Sequence, residues 1–574
     1  MLFLRYLNRH FKKFSIFRRT QCTLVDNISQ NYILKSEKKD IEIPNITLPE
    51  LLTTYQDKFE KYVASECAFT KRKYSYGELR DYSTSLSKAL KKILKLKSEN
   101  VVAVICRNIP EYPIACLGII KANLIVTTIS SVFSPDEICR QMIDSDTKAL
   151  ITEVGLYANV RLALDNAKKK VPIVIIKTEP GQVIPENTID FHEVIKAKHD
   201  YPNIIPNSPN SVAVMPYSSG TTGLPKGVEL THRNLVANIL QCFDCDMEYQ
   251  TEASDTYQEV IPTVLPYYHI FGLSLLFGVH LSGGNMVSIS SYSQDLFVSV
   301  LKEYRTTLLY LVPPLVLMIT HNEAVKRESL DRVKAILSGG APLSATDEQK
   351  LLEKFDHEVL FLQGYGLTET SPVVAELYPS ILIEEKYYKG SIGKPLPNTL
   401  TKIVNPEDAK NTPLGPNCTG ELLVKGPQVM KGYHKLPEET KKIMSEDGWL
   451  RSGDLGHFNE KGFLFITDRM KELIKVKGNQ VAPSELEGII RSFPGVADAA
   501  VIGIPHERAG EVPRAYIVAE ENLNIEKLQE FFNGKVAKYK QLKGGIELVE
   551  SIPKNASGKI LRRELRTMYL DKNI

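Results

Sequence analysis

Tyr217 to Asn234 reads YSSGTTGLPKGVELTHRN, and the rest of the chain is organised around it. Six of its first seven residues are Ser, Gly or Thr. Glycines let a backbone approach a polyanion closely, and successive N–H groups in such a turn form an anion-binding nest. Ser218, Ser219, Thr221 and Thr222 add hydroxyl donors, Gly220 and Gly223 supply turns, and Lys226 carries a mobile positive charge. Composition alone also fits a flexible surface loop. The neighbours argue otherwise. The loop follows strand-like SVAVMPY and precedes a helix expected to start near His232, and helix N-termini often hold phosphate. The spacing is not that of the P-loop, which requires Gly, four residues, then Gly-Lys-Ser/Thr.

Length and composition bound the rest. A chain of 574 residues is too long for one simple core, so two or more domains are expected. Hydrophobic content of 43% and charged content of 24% are those of a soluble globular protein. A net charge of +3 gives no reason to invoke nucleic acid. The eight cysteines are scattered and suit a reducing compartment. Cys242 and Cys245 form a lone CxxC with no second pair, which points to packing rather than zinc.

Residues 1–25 contain no acid. Arg5, Arg9, Lys12, Lys13, Arg18 and Arg19 are basic, and Leu4, Leu7, Phe11 and Phe14 fall at helical spacing. That is the composition of a mitochondrial transit peptide, with a disordered tail or a membrane-surface helix as the alternatives, which would leave the protein in the cytoplasm or at a membrane surface. From about Ile46, strands and helices alternate. Tyr74–Leu94 has helical periodicity, VVAVICRN reads as a buried strand, YPIACLGIIKAN as a helix, and KALITEV and VPIVIIK as further strands. The pattern predicts α/β units with largely parallel strands. Leu265–Ser282 is the most apolar stretch, but Pro266, His269, Gly272, Gly278 and His280 interrupt it, so it reads as buried core and no transmembrane segment is expected.

The YSSGTTGLPKG string resembles the phosphate loop of the adenylate-forming enzymes, and its wording is most similar to 4-coumarate:CoA ligase and luciferase-like ligases. Further motifs follow in family order: LPYYHIFG, SGGAPL (338–343), QGYGLTETSP (363–372), GWLRSGDLG (448–456), FLFITDRMKELIKVKGNQVAPSELE (463–487) and PKNASGKILRREL (553–565). The resemblance implies a large N-terminal adenylation domain over 26–467, a hinge at 468–471 and a smaller mobile C-terminal α/β domain over 472–574. It implies an ATP-dependent, AMP-forming acyl-CoA ligase that uses ATP, Mg²⁺ and CoA.

By the same resemblance the catalytic residues are Lys559, Glu369, Thr222 and Lys226, with Glu369 as the magnesium ligand. Nucleotide binding is assigned to Ser218, Ser219, Gly220, Thr221, Thr222, Lys226, Gln363, Gly364, Tyr365, Thr368, Asp454, Arg469, Lys471, Lys475 and Lys559. The acyl group is assigned to His269, Phe271, Gly340 and Gly364, and CoA to Lys477 and Gly478. Asn479 departs from relatives that carry an aromatic there. A carboxylate would attack the α-phosphorus of ATP, after which the small domain would turn about Lys471 and CoA would attack the acyl-adenylate. No nucleophile of the protein enters either step, in keeping with the absence of a Ser-His-Asp or Cys-His signature. A luciferase-like monooxygenase and an enzyme loading a carrier protein share the first step and remain as alternatives. The acid, aromatic or fatty, and the oligomeric state are not legible.

Overall fold

A computed structural model describes residues 32–218, 225–382, 384–477, 479–519, 523–555 and 558–572. The expectations for residues 1–25 and for Ser219, Gly220, Thr221, Thr222 and Gly478 lie outside them.

The α/β alternation is present. Val101–Ile105, buried at every residue, pairs in parallel with Ile125–Thr128 on one side and Ala149–Glu153 on the other. Such continuous apolar strands belong inside a sheet covered on both faces. Ile173–Ile176 and Ile189–Asp190 continue the sheet in parallel. The helix expected at Tyr74–Leu94 runs Tyr76–Lys92 and begins at a capping box between Ser75 and Glu78. Its Leu79, Leu86 and Leu90 face the core. The apolar stretch Leu265–Ser282 holds a helix of only nine residues, Ile270–Gly278, and a 3₁₀ turn, Val279–Leu281. Among the described residues no helix is long and apolar enough to cross a membrane.

Three more sheets complete the large part of the molecule. In one, Val260–Thr263, Asn285–Ser288, Val63–Cys67 and Lys73–Ser75 lie side by side. Another runs Leu308–Leu311, Ala335–Ser338, Leu360–Gly366, Val373–Glu376 and Lys394–Pro395. The last is antiparallel: Leu400–Val404, Gly420–Lys425, Leu450–Phe458 and Leu464–Arg469. A separate hydrophobic core begins at Ile474 and ends at Leu565. It lies under a sheet of Asn479–Val481, Ile474–Val476, Gly510–Ala519 and Val496–His506, with Ile546–Leu548 parallel to Gly510–Ala519. The protein is thus a mixed α/β chain with a large N-terminal and a smaller C-terminal unit.

The helix expected near His232 is present, and a strand stands between it and the glycine-rich loop. Tyr217–Ser218 and Lys226–Thr231 pair antiparallel as the two arms of a hairpin, Lys226 opposite Ser218. The helix His232–Asp246 starts only after that return strand, and Thr231 and Asn234 already cap its free N–H groups. The strand forms because it has two further neighbours, Val212–Val214 and Gly432–Tyr433.

Candidate active site

The strand Leu360–Gly366 carries three of the expected residues and sits between Ala335–Ser338 and Val373–Glu376. Gln363 is buried and its Nε2 donates to Glu348 Oε2 at 3.4 Å. Tyr365 reaches across to the neighbouring antiparallel sheet, where its hydroxyl donates to Asp454 Oδ2 at 2.6 Å. Asp454 is 4% exposed and stands in register with Arg469 on the next strand. Arg469 Nε lies 3.3 Å from Asp454 Oδ1. Burial pushes the Asp454 carboxyl above its ordinary range, while the charges of Arg469 and Lys559 and the Tyr365 hydroxyl act the other way. Burial and the Asp454 charge raise the Tyr365 hydroxyl too, so it remains a neutral donor.

A second group forms around Tyr433. Lys226 Nζ lies 5.0 Å from the centre of its ring and 2.5 Å from Glu439 Oε2. The Tyr433 hydroxyl donates to Glu369 Oε1 at 2.8 Å, and Met430 N–H donates to the Glu369 carbonyl at 2.9 Å. One aromatic side chain therefore links the phosphate-loop lysine to the expected magnesium ligand. Hydrogen bonds from Lys226 and then Lys442 hold Glu439 down at about 2. Lys471 is close enough that Lys226, after burial, lowers its pKa and Glu439 opposes this. Thr368 opens the 3₁₀ turn Thr368–Thr370 that carries Glu369. Ser218 Oγ is buried on the strand Tyr217–Ser218, next to the Tyr433 hydroxyl.

Lys559 comes from the small domain. It follows Gly558, whose φ of +79° is the left-handed region that glycine adopts without strain. A Cβ on Gly558 would lie 2.8 Å from Pro314 Cδ and 3.1 Å from Val312 Cγ2, so the turn is seated on the start of the large-domain helix Pro313–His321. Burial, then Arg469, lower the Lys559 pKa; Glu472 and Asp454 raise it. The lysine thus shares an electrostatic neighbourhood with the Asp454–Arg469 pair. A further tie between the two units runs from Arg491 Nε to Asp347 Oδ2 at 3.3 Å. At the expected hinge, Asp468 Oδ2 accepts from Ser484 N–H at 2.9 Å, which links the last large-domain strand to the helix Pro483–Arg491.

The acyl candidates also converge. His269 is the N-cap of the helix Ile270–Gly278, and its Nδ1 accepts from Phe271 N–H at 3.3 Å. Burial lowers it to about 4, so it is neutral at physiological pH. A Cβ on Gly339 would lie 3.2 Å from the Gly364 carbonyl oxygen and 3.4 Å from Phe271 Cε1. Gly340, next in the chain, has φ +86°. Gly339 is thus packed closely against the Gly364 backbone and the Phe271 ring.

Lys475 and Lys477 stand apart from these groups. Both are exposed on the strand Ile474–Val476 and the turn after it, and among the described residues neither ammonium makes a hydrogen bond or ion pair. Lys477 N–H donates to Ala509 O at 2.8 Å and has φ +49°. Sequence reasoning missed Tyr433, Glu439, Glu472 and Arg562. Arg562 lies in the string flagged for Lys559, and Glu472 directly follows the expected hinge at 468–471.

The profile of the AMP-binding enzyme family matches residues 54–434, and that of the AMP-binding enzyme C-terminal domain matches residues 485–559. The chain is 33% identical over 551 residues to a protein named probable 4-coumarate–CoA ligase 1 from Dictyostelium discoideum, covering 92% of this chain and 97% of the relative. It is 34% identical over 547 residues to 4-coumarate–CoA ligase from Vanilla planifolia, covering 93% and 97%. Its fold matches ATP-bound MatB from Rhodopseudomonas palustris with a TM-score of 0.79 at 26% identity, covering 91% of this chain and 99% of that one. The anthranilate CoA ligase AuaEII in complex with anthranoyl-AMP shares the fold with a TM-score of 0.81 at 20% identity, covering 93% and 99%. Both family profiles are matched in order, and the adenylate-forming fold spans nearly the whole chain; the chain belongs to the AMP-binding enzyme family and is an acid–CoA ligase.

Proposed function

We propose that this ligase activates a planar aromatic carboxylic acid of the hydroxycinnamate type as its acyl-adenylate and passes the acyl group to CoA. The observation that carries the two-step reading is that Lys559, on a small-domain turn seated against Val312 and Pro314, lies within electrostatic reach of the Asp454–Arg469 pair of the large domain. The names of the curated relatives support an aromatic acid. A fatty acid is the second reading.

In the first step a carboxylate oxygen bonds to the α-phosphorus of ATP and pyrophosphate leaves. Two anions must be aligned and their repulsion offset. Lys559 places its charge between them. Lys226 and the hydroxyls of residues 218–222 hold the outer phosphates. Tyr365 lies along the adenine, Gln363 and Gly364 border it, Asp454 accepts the ribose hydroxyls with Arg469 beside it, and Thr368 contacts the α-phosphate. Glu369 is the proposed magnesium ligand. Its donors are oxygens, as magnesium prefers, and only Oε1 takes a protein hydrogen bond among the described side chains. The remaining ligands of the ion would come from the triphosphate and water, since no group of three or more acidic, His or Cys side chains among the described residues could hold a metal. The ion would supply charge neutralisation.

In the second step the CoA sulfur bonds to the acyl carbonyl carbon, the bond to AMP breaks and the thiol proton goes to solvent. Lys559 would obstruct that path, so the small domain turns about Lys471 and presents Lys477 and Gly478 to the pantetheine, with Lys475 moving in the same strand. Purified protein given ATP, Mg²⁺, CoA and a panel of acids is expected to release AMP and pyrophosphate fastest with hydroxycinnamates. A preference for fatty acids would replace the aromatic assignment, and ADP as product would reject the mechanism. Oxygen uptake would favour a luciferase-like second step. Loading of a carrier protein in place of CoA would favour the other alternative.

Residues 1–25 are proposed as a mitochondrial address on their acid-free, amphipathic composition. Fused to a fluorescent protein they should direct it to mitochondria, and a diffuse cytosolic signal would reject the assignment.

A further inference from the structure

The Lys559 ammonium is not held by the nucleotide cluster alone. Its nearest carboxylate in the structure is that of Glu472, the residue after the hinge lysine, with Oε1 at 3.7 Å from Nζ. The other oxygen of Glu472, Oε2, lies 3.0 Å from Arg562 Nη1. Arg562 is 8% exposed and is itself fixed on the far side. Its Nη2 donates to Glu487 Oε1 at 2.6 Å and its Nε donates to Val501 O at 3.2 Å. Glu487 Oε1 also accepts from Val501 N–H at 2.8 Å. The chain of contacts therefore runs from a buried helix, Pro483–Arg491, and a core strand, Val496–His506, through a locked guanidinium to Glu472 and on to Lys559.

All four of these side chains follow Lys471 in sequence. A turn of the small domain about that residue would carry them together. We propose that Glu472 is a positioning residue for Lys559: anchored by Arg562, it holds the ammonium charged and aimed while the lysine travels with its domain. This rests on the reading of Lys559 as the residue that meets the two anions in adenylate formation.

The charged groups around Lys559 make the role testable. From the large domain Arg469 and Asp454 face it; from the small domain, Glu472 and Arg562. Val312 and Pro314 form the apolar wall beside Gly558. Burial and the two guanidinium groups act against the ammonium, and of the two carboxylates that favour it only Glu472 moves with it. Asp454 is already shared by Tyr365 and Arg469. Replacing Glu472 by Gln keeps the shape and removes the charge. The ammonium then loses its proton at lower pH, because a favourable opposite charge within ~4 Å has gone. A residue that only supported the fold would slow both half-reactions at every pH.

The experiment measures acid-dependent pyrophosphate release in single turnover across pH, and in parallel thioester formation from supplied acyl-adenylate, for the wild type, Glu472→Gln, Glu472→Asp and Lys559→Ala in the full chain. Glu472→Gln is expected to bring the alkaline loss of adenylation to lower pH, with a rate about tenfold below wild type at the alkaline end and a smaller deficit at the acidic end, as the loss of one such charge contact implies. Thioester formation should be kept, and Glu472→Asp should restore most of the profile. An unmoved alkaline limb, or an equal loss in both half-reactions, would overturn the proposal. If Lys559→Ala itself leaves adenylation intact, the assignment of Lys559 fails instead, whatever Glu472→Gln does.

Discussion

Asp454 and Lys559 face the same place in the molecule and are held there by different means. Asp454 stands in the middle of an antiparallel sheet, in register with Arg469, with Tyr365 closing over it from a second sheet. Lys559 stands on a turn whose seat is two residues of another domain, Val312 and Pro314. The first arrangement cannot shift without breaking sheet pairing. The second can leave as a unit, because the buried core from Ile474 to Leu565 is separate from the large one. A site that must bind one nucleotide through two reactions benefits from this division. The part that grips the ribose stays, and the part that acts in one step only is carried on a removable support.

The strongest test of the comparison removes the movable charge. Lys559→Ala is expected to slow acyl-adenylate formation by about 10²–10³, the usual effect of deleting one preorganised group that meets developing charge. Thioester formation from supplied acyl-adenylate should change little. Single-turnover measurement of each half-reaction decides it, and equal damage to both would mean that the turn does not leave.

A smaller effect should follow from spoiling the seat while leaving the lysine in place. A Cβ at Gly558 would overlap the Pro314 ring, which cannot rotate aside as a flexible side chain would. Overpacking of this kind costs on the order of 1–3 kcal/mol, so Gly558→Ala should slow adenylation by about 30-fold. The left-handed strain of an alanine at φ +79° is present wherever the turn keeps its shape, but the clash with Pro314 exists only when the turn is docked. Thioester formation should therefore be less affected than adenylation. If Pro314→Ala in the same protein fails to recover part of the adenylation rate, the seat is not where the loss arises.

These contrasts show what the sequence could and could not disclose. Gln363, Gly364, Tyr365, Thr368 and Glu369 fall within one short run, so a single motif names them all, although the first three lie on the strand Leu360–Gly366 and the last two on the 3₁₀ turn after it. The hairpin of the phosphate loop was not legible. Its return strand Lys226–Thr231 is stabilised by Gly432–Tyr433, which arrives some 200 residues later. The same distance hid Tyr433 and Glu439: one is 64 residues from Glu369, the other 213 residues from Lys226. Glu472 drew no reading from the sequence. Its meaning depends on Arg562, which reaches it only after the whole small domain has folded. Motifs expose chemistry that is contiguous in the chain; charge pairs made by folding carry no local signature.

The smallest expected effect concerns the second tie between the domains, and it asks whether docking depends on the lysine turn alone. Arg491, at the end of the small-domain helix Pro483–Arg491, lies 3.3 Å from Asp347 on the large-domain helix Ala345–Leu352. Both side chains are largely shielded, at 13% and 3% exposure, so the pair is screened less than a surface pair. Asp347 keeps a second partner, because Ser344 Oγ donates to its Oδ2 at 2.7 Å, so removal of the guanidinium does not leave its carboxylate without a hydrogen bond. The cost should then be about 1 kcal/mol rather than that of an orphaned buried charge. Arg491→Ala should slow adenylation by roughly fivefold. Because the contact exists in the docked arrangement and touches neither reacting group, thioester formation should hold steady or rise slightly as the docked population falls. Measured with Gly558→Ala, the two losses should combine in adenylation, since each weakens the same docked state at a different contact. If Arg491→Ala lowers the thermal midpoint of the whole protein and slows both half-reactions alike, the contact serves the fold, and the lysine turn is left as the main hold between the domains.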